Sequence, residues 1–398
     1  MPWTEKTVEA KRTEFVAEVL QEEKSMSQLC REHGITRKTG YKWVKRAKSG
    51  EGLVDKKRGI KNHPNKTAKA VEETILEARR EHPAWGARKL KRYLENQGNV
   101  GMPAQSTICE ILKRNSMVSP EGSESHTPYR RFEREKANEL WQMDFKGDFG
   151  LLNGQRCYPL TVLDDHSRYS LCLEAKENQQ AAGVFNSIGR VFGEYGLPGS
   201  VLCDNGSPWG DCKAGSITQF DVWMMQLGVL PIHIRPLRPQ TQGKEERFHR
   251  TLKEEVLRGE VFADIPSAQR RFESWRHEYN HERPHEALGF ETPSKRYAPS
   301  RRRMPAVLGE PEYGAGKNLR KVNYKGYVSI QSHRYYLTEA LIGKLLEVRT
   351  LSDAEIGLYY GRFRISVIRL DERIFSSRRI CRDGAEATTA DTQATQHT

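Results

Sequence analysis

The sequence predicts a multidomain chain, with all-α helix-turn-helix modules at the N-terminus, a mixed α/β domain in the middle and a small β-barrel at the C-terminus. Three observations predict this order. Up to residue 118 the apolar side chains recur at helical spacing. Between residues 135 and 298 strand-like apolar runs alternate with helical stretches. Residues 310–372 hold five short strands separated by tight turns, which fits a small barrel.

The charge of the chain indicates the class of its partner. Its 398 residues carry 65 Lys and Arg against 52 Asp and Glu, a formal net charge of +13. The excess is concentrated between Arg31 and Lys66, where twelve Lys and Arg accompany three Asp and Glu. Such a cluster predicts a polyanionic partner, first of all nucleic acid, and weakens the alternative that basicity only aids solubility.

Cysteine usage and hydropathy exclude several classes of protein. The seven cysteines are odd in number and never form a CxxC pair, which indicates reduced thiols in a cytosol. Cys30 and His33 are not followed by a second ligand pair at zinc-finger spacing, so we expect them in helix packing. No apolar run reaches membrane-spanning length, and the N-terminus lacks the apolar core of a signal peptide. We therefore expect a soluble cytoplasmic protein without a membrane partner.

Residues 1–55 are predicted to form a first helix-turn-helix DNA-binding domain. A helix over 8–23 is followed by a short helix that Ser27 can cap and that Gly34 ends at a position suited to positive φ. Thr36 can cap a third, basic helix. A short helix, a Gly-containing turn and a basic helix are typical of helix-turn-helix. The alternative is an ordinary helical hairpin with a solvated basic face.

The third helix would contact DNA with its exposed face, while Tyr41 or Val44 turns inward. The side chains predicted to bind DNA on that face are Arg37, Lys38, Lys42, Lys45 and Arg46. The following segment, 56–66, is a basic linker expected to lie along DNA phosphates, so binding should weaken steeply with salt.

A second helix-turn-helix domain is predicted over residues 67–118, from three further helical stretches. Two tandem DNA-reading modules would cover a longer site than one. The Pro/Gly/Ser-rich segment 119–134 is a linker and the clearest domain boundary. The tail 376–398 has few apolar residues and is expected to be disordered.

The central domain contains three carboxylates in special sequence contexts. Asp144 lies within the strand-like run WQMDF, Asp204 ends a strand before an Asn-Gly turn, and Glu246 is in the first turn of a helix. Two Mg²⁺ ions about 3.5–4 Å apart can activate both oxygens of a phosphodiester displacement, and carboxylates are the hard ligands that hold them. Any one of these acids alone would be read as a surface carboxylate. All three together, in this order, indicate a metal site acting on nucleic acid.

These motifs resemble those of a known family. WQMDF, CDNG and GKEERFHRTLKEE are similar to the three acidic motifs of the DDE transposases of bacterial insertion sequences. LDDHSRY at 163–169, RPLRPQTQGK at 235–244 and YNHERPHEALGFETPSKRY at 279–297 extend the resemblance over residues 135–298. The family belongs to the retroviral-integrase superfamily, so the resemblance implies an RNase H-like catalytic core and a bacterial, nucleoid-associated protein.

Carried over by position, the resemblance implies that Asp144, Asp204 and Glu246 are the catalytic residues and bind two Mg²⁺ ions, with Mn²⁺ as a substitute. Glu246 is preferred to Glu245 because the family glutamate directly precedes an arginine, here Arg247. The 41 residues between Asp204 and Glu246 exceed the separation in many members, and the loop at 206–216 can absorb the surplus.

Other acids near the triad compete for the same role. Asp148 is predicted on the strand face of Asp144, and Asp164 and Asp165 on the next strand. We interpret these three as structural.

The helix that carries Glu246 also carries cations. His249, Arg250 and Lys253 follow Glu246 on one helical face. The resemblance implies DNA contacts from Lys244, Arg250 and Lys253, with Lys253 favoured for the donor end. For Arg250 a salt bridge to a helix acid such as Glu254 is an equal alternative. His249 is disfavoured as a general base, because a metal-bound water does not require one.

The resemblance implies a transposase that binds terminal inverted repeats of an insertion sequence. It would cleave the 3′ end of the element and join it to target DNA, as a homo-oligomer on double-stranded DNA that is at least a dimer. Two alternatives remain: an RNase H-like nuclease without strand transfer, and a catalytically inert DNA-binding regulator.

Overall fold

A computed structural model describes residues 7–55, 66–118, 133–210, 216–234, 243–377 and 380–383. The chain divides into two compact units, Met1–Thr67 and Ala68–Thr398. Most of the predicted linkers and of the predicted tail lies outside the described residues, namely 56–65, 119–132 and 384–398. Within the described ranges, no helix is both long and apolar enough to cross a bilayer.

Three helices make up the first unit: α1 (Val8–Leu20), α2 (Met26–Glu32) and α3 (Arg37–Lys48). Their contact surface is built from apolar side chains that are at most 8% exposed: Phe15, Val16, Leu29, Cys30, Trp43 and Val44. Burial of these side chains supplies most of the driving force for a module this small. Cys30 is therefore a core residue, as its sequence context indicated.

The caps of these helices follow the sequence with one correction. Thr36 accepts a hydrogen bond from the Thr39 N–H and begins α3, as predicted. Gly34 has φ +66°, the left-handed conformation that glycine adopts without steric cost. The prediction that Ser27 caps α2 was wrong: the N-cap is Ser25, which accepts from the Gln28 N–H and places Ser27 inside the helix.

The second unit begins with three more helices: α4 (Lys69–Glu81), α5 (Ala87–Asn96) and α6 (Gln105–Arg114). Their apolar faces enclose a separate core of buried side chains: Ile75, Leu76, Trp85, Leu90, Leu94, Ile108, Ile111 and Leu112. The predicted helices over residues 67–118 are therefore present, and their ends differ from the predicted ones by a few residues.

A mixed sheet forms the centre of the second unit. Its strands are β1 (Leu140–Phe145), β2 (Phe149–Gly150), β3 (Arg156–Asp164), β4 (Ser170–Lys176), β5 (Ser200–Cys203) and β6 (Leu230–His233). The order is β2-β3-β1-β5-β6, with β4 also pairing β3. Strand β1 is antiparallel to β3 and parallel to β5, and β5 is parallel to β6. This confirms the predicted change from hairpin-like strands to strand–helix alternation.

Helices cover the sheet: α7 (Ala181–Tyr195), α8 (Gln219–Gln226), α9 (Gly243–Leu252) and α10 (Ile265–His281). Helix α9 continues into a π-helical turn, Lys253–Leu257, where one α-helix over 243–258 was predicted. The turn buries Val256 and aligns Phe248, Leu252 and Val256 against Phe272 and Trp275 of α10. The wider turn lets the chain keep its apolar face on α10 beyond Leu252.

The C-terminal module is a β structure but not the predicted barrel. Its strands are β7 (Leu319–Lys321), β8 (Tyr327–Ile330), β9 (His333–Tyr336), β10 (Leu345–Thr350), β11 (Glu355–Tyr360), β12 (Phe363–Arg369), β13 (Ile374–Ser377) and β14 (Cys381–Arg382). Among the described residues an open sheet runs β13-β12-β11-β10-β7, and β8 and β9 form a separate two-stranded sheet. The sheet does not close because its apolar face packs on α8 residues Val222 and Met225 instead of on itself.

Candidate active site

The sheet topology brings two of the predicted catalytic acids to the same edge. Asp144 is the second-last residue of β1, and Asp204 directly follows β5. In the parallel pairing Gln142 lies opposite Leu202, so two residues further on Asp144 and Asp204 stand at the same level of neighbouring strands. Glu246 lies in the first turn of α9, which packs against β1.

The three acids interact electrostatically. Burial, together with the charges of Asp204 and Glu246, raises the pKa of Asp144 to about 7. The Phe145 N–H, which donates to Asp144 Oδ1 at 2.8 Å, opposes this rise only in part. The carboxylates therefore oppose each other's ionisation, and Asp144 is only partly ionised at neutral pH.

Cations do not neutralise this charge in the part of the chain that the structure describes. Asp204 Oδ1 accepts from the Gly206 N–H at 3.1 Å, and Asp144 Oδ2 lies 3.9 Å from His249 Nδ1. Lys and Arg side chains form no ion pair with any of the three acids there, although the chain carries a net charge of +13. The described side chains also contain no group of three acids, histidines or cysteines already close enough to enclose a metal ion.

The neighbouring glutamate has a different environment from Glu246. Glu245 is fully buried, whereas Glu246 is exposed. Glu245 Oε2 lies 3.2 Å from the Thr161 hydroxyl, and Oε1 has no hydrogen-bond partner among the described residues. Burial and the charge of Asp144 raise the pKa of Glu245 well above its ordinary value. Glu245 is thus enclosed in the interior, where burial disfavours its ionised form, while Glu246 is exposed to solvent.

His249 lies beneath the acids with Thr161. Its Nε2 is 2.9 Å from the Thr161 hydroxyl and 3.6 Å from Glu245 Oε2. Burial, with Lys146 nearby, lowers the pKa of His249 to about 3. The imidazole is therefore neutral and part of a hydrogen-bonded layer that supports β1 and α9.

The competing acids have structural partners. Asp148 lies in the loop after β1, not on the strand as predicted, and its carboxylate pairs with Arg156. Asp164 accepts from the backbone and hydroxyl of Ser167 and from the Asn138 N–H.

Asp165 binds the side chain of Gln142 at 2.8 Å and Lys244 Nζ at 2.5 Å. Lys244, predicted to bind DNA, is consequently used inside the protein and is only 15% exposed.

The other two side chains of this region that were predicted to bind DNA are exposed to solvent. Arg250 and Lys253 are exposed and form no ion pair among the described residues. The alternative partner of Arg250 was Glu254, but Glu254 pairs with Arg258 at 2.6 Å. Lys253, at the start of the π-helical turn, contributes to lowering the pKa of Lys146, so the two ammonium groups lie near each other.

A buried carboxylate that the sequence analysis missed connects α9 to the second group of helices. Glu255 accepts from the indole N–H groups of Trp85 and Trp275, each at 3.1 Å, and from Arg283 at 2.9 Å. Glu255 and Arg283 are each only 7% exposed. His82 stacks on Trp85 at 3.8 Å. Four side chains distant in sequence meet here, so no local motif indicates the contact.

The loop after Asp204 is partly anchored. Trp209 is buried against Phe145 and Phe220, with ring centroids 6.2 and 5.1 Å away. The remainder of the predicted long loop, 211–215, and the segment 235–242 lie outside the described residues.

In the first unit, α3 presents four of its five predicted DNA-binding cations to solvent: Arg37, Lys38, Lys42 and Lys45. Arg46 is less accessible, because its guanidinium lies over the Trp43 ring and pairs with Glu51 at 3.3 Å. Val44 turns inward and Tyr41 is 54% exposed, which settles the alternative that the sequence left open.

Comparison with known families agrees with this architecture. Two family models described as Integrase core domain match residues 134–239 and 227–293. A Helix-turn-helix domain model matches residues 11–61, and a Homeodomain-like domain model matches residues 39–112. Fold and site together define an integrase-type core preceded by helix-turn-helix domains.

Individual relatives come from bacterial insertion elements. The chain is 25% identical over 232 residues to an uncharacterized 39.2 kDa protein of insertion element IS476 from Xanthomonas euvesicatoria, covering 57% of this chain and 64% of that protein. It is 26% identical to the transposase for IS21 from Pseudomonas aeruginosa, over 57% of each chain. It is 28% identical to the transposase InsD for IS2 from Escherichia coli, over 54% of this chain and 73% of that protein. The chain thus spans less than two thirds of the first two relatives.

These matches confirm the resemblance that the acidic motifs indicated. The chain is similar to insertion-sequence transposases, and residues 134–293 match the Integrase core domain.

Proposed function

We propose that this chain is a DNA transposase that cleaves the 3′ end of an insertion sequence and joins it to target DNA. The observation that carries the proposal is the uncompensated charge of Asp144, Asp204 and Glu246 at one edge of the core sheet. A structural role would give such acids a lysine or arginine partner, as Asp148 and Asp165 have.

Mg²⁺ is the cofactor that fits this donor set. The accessible oxygens belong to carboxylates, which are hard ligands. Bound divalent cations would offset the repulsion from Asp204 and Glu246 that helps to raise the pKa of Asp144. The three acids would hold two Mg²⁺ ions, which Mn²⁺ could replace. These ions would supply Lewis acidity to the phosphate and to the attacking oxygen. The chain itself contributes a rigid strand pair and a helix start that fix the acids, while Lys253 and Arg250 are available to the DNA backbone.

The DNA partner follows from the helix-turn-helix domains. We propose that the exposed cations of α3 bind the terminal inverted repeats, and that the helices over 67–118 read a second part of the same end. Two ends must be joined to one target, so the active form is a homo-oligomer, at least a dimer. In a bacterial host this places the protein in the cytoplasm, on the nucleoid.

A joining assay tests the proposal. Purified full-length protein is incubated with labelled candidate ends, a plasmid target and Mg²⁺. Asp204→Asn is the test variant and Asp148→Asn the matched control, because both replace an acid by its amide and Asp148 pairs with Arg156 in the loop after β1. Joined products with wild type and the control, lost in Asp204→Asn, are the expected result.

Two other results would replace the proposal by its alternatives. Cleavage without joining in wild type indicates a nuclease. Binding of the ends with neither reaction indicates a regulator with an inert core.

A further inference from the structure

A basic cavity lies at the edge of the core sheet opposite to the acids. Its walls include Asn138 and Glu139, which precede β1, and Gly199, which precedes β5. Asp144 and Asp204 are at the other ends of the same two strands. Strands rise about 3.3 Å per residue, so the five steps from Glu139 to Asp144 separate the cavity from the acids by roughly 17 Å. The cavity has a volume of about 630 Å³ and is distinct from the candidate active site.

Five cations line this cavity, with one acid, Glu139. They come from three parts of the second unit: Lys136, Arg301, Arg302, Arg362 and Arg382. No Asp or Glu among the described residues forms an ion pair with any of the five. By contrast, Arg349 in the neighbouring strand β10 pairs with both Glu347 and Asp383.

The arginines are held in place by backbone carbonyls. Arg302 donates to Pro198 O at 2.5 Å and to Gly228 O at 2.9 Å. Arg362 donates to Gly228 O, and Arg382 to Gly199 O. Carbonyls orient a guanidinium without neutralising it. Each guanidinium has five N–H donors, so N–H groups remain for a ligand.

The arrangement is electrostatically unfavourable without an anion. Burial lowers the pKa of Arg302, and so do the charges of Arg362 and Arg382. Burial and Arg362 likewise lower the pKa of Arg382. Like charges brought together in a partly desolvated cavity oppose folding, and a bound anion would offset that cost.

The lining favours a phosphate backbone over a nucleotide. Small-molecule sites are mostly apolar and use aromatic rings to hold a base. No aromatic ring lines this cavity among the described residues. Lys136 and Arg301 are exposed at its rim, so the positive charge continues onto the surface, where a long polyanion can follow it.

We infer that this cavity binds phosphate groups of double-stranded DNA, remote from the strand that reacts. The inference rests on the proposed function for the identity of the polyanion. The cavity joins the start of β1, the segment 298–302 and the C-terminal sheet. DNA bound there would hold the C-terminal module and the core on one duplex.

The test neutralises the rim and leaves the carbonyl-bound arginines intact. Full-length Lys136→Gln/Arg301→Gln is compared with Lys321→Gln/Arg334→Gln, a matched loss of two exposed cations that do not line the cavity. Fluorescence anisotropy measures binding of a short labelled duplex across a range of NaCl concentrations. Each phosphate contact adds about 0.9 to the slope of log affinity against log salt, so the rim variant should lower the slope by about 1.8. The control should lower it by less than half as much.

Several results would overturn the inference. Equal slopes for the rim variant and the control would remove the cavity from the DNA path. Inorganic phosphate at about 10 mM probes the other source of the anion. If it raised the Tm of wild type but not of the rim variant, while the salt slopes of DNA binding stayed equal, the cavity would be a site for free phosphate. Failure of wild type to bind any duplex would instead reject the proposed function. The thermal unfolding midpoint of each variant without ligand checks that both are folded.

Discussion

Replacing Asp144 by Asn should stabilise the metal-free protein, and only at high pH. The pKa of Asp144 is about 7 in the folded chain, against an ordinary value of 3.8. Between these two values the folded state keeps a proton that the unfolded state has lost, so wild-type stability falls as pH rises through this window. Asparagine has the size of the protonated acid, and its Oδ1 can still accept from the Phe145 N–H.

The magnitude follows from the same difference in pKa. It corresponds to roughly 4 kcal/mol at pH 8, where Asp144 is ionised. The side chain is 22% exposed, so solvent screening reduces the effect. We expect Asp144→Asn to raise the free energy of unfolding by about 2 kcal/mol at pH 8 and to leave it nearly unchanged at pH 4.

Denaturant unfolding at both pH values, with EDTA present, measures this difference. Asp148→Asn is the control, because Asp148 is exposed and pairs with Arg156. Mg²⁺ should stabilise wild type at pH 8 and have little effect on Asp144→Asn. The reasoning is refuted if the two proteins differ equally at both pH values, or if Mg²⁺ stabilises both to the same extent.

Two further predictions concern the buried contact around Glu255 in the second unit and the exposed cations of α3 in the first. Trp85→Phe removes one N–H donor from the buried Glu255 carboxylate and should cost about 1.5–3 kcal/mol of unfolding free energy. Glu255→Gln should cost about 3–5 kcal/mol of unfolding free energy in a denaturant titration, because it leaves Arg283 buried without a counter-charge. Equal stability of wild type, Trp85→Phe and Glu255→Gln would contradict a structural role for this contact. In α3, Lys38→Gln should lower the salt slope of DNA binding by about 0.9 without changing Tm, since its ammonium is exposed. Arg46→Gln should also lower Tm, because Arg46 packs on Trp43, and a Tm as high as that of wild type would show that this packing is not stabilising.

The sequence predicted elements wherever local patterns decide the structure. Gly34 and Thr36 mark the ends of helices by backbone conformation and capping, which are local effects, and both were correct. The strand-like run WQMDF lies within β1, because a short segment whose first residues are buried on both faces has few alternatives.

Features that depend on distant packing were missed or wrong. The C-terminal strands were found, but their closure depends on whether the sheet packs on itself or on α8, and no pattern within 310–372 decides that. The π-helical turn at Lys253–Leu257 similarly follows from packing on α10.

For the candidate site, the strand contexts of Asp144 and Asp204 predicted that both belong to one site, and the parallel pairing of β1 and β5 puts them at the same level. The different burial of Glu245 and Glu246 depends on how α9 is rotated against β1. Only the family resemblance distinguished the two glutamates from sequence. The engagement of Lys244 by Asp165 depends on the same docking.

Metal binding by the two adjacent glutamate variants tests the central claim most directly. Titration with Mn²⁺ at pH 8, followed by electron paramagnetic resonance, counts the ions bound to wild type, Glu246→Gln and Glu245→Gln. Glu245 is buried and Glu246 is exposed, so Glu245→Gln should keep the metal, whereas Glu246→Gln should lose at least one ion. Loss of the metal in Glu245→Gln, with full binding in Glu246→Gln, would contradict the assignment of the site.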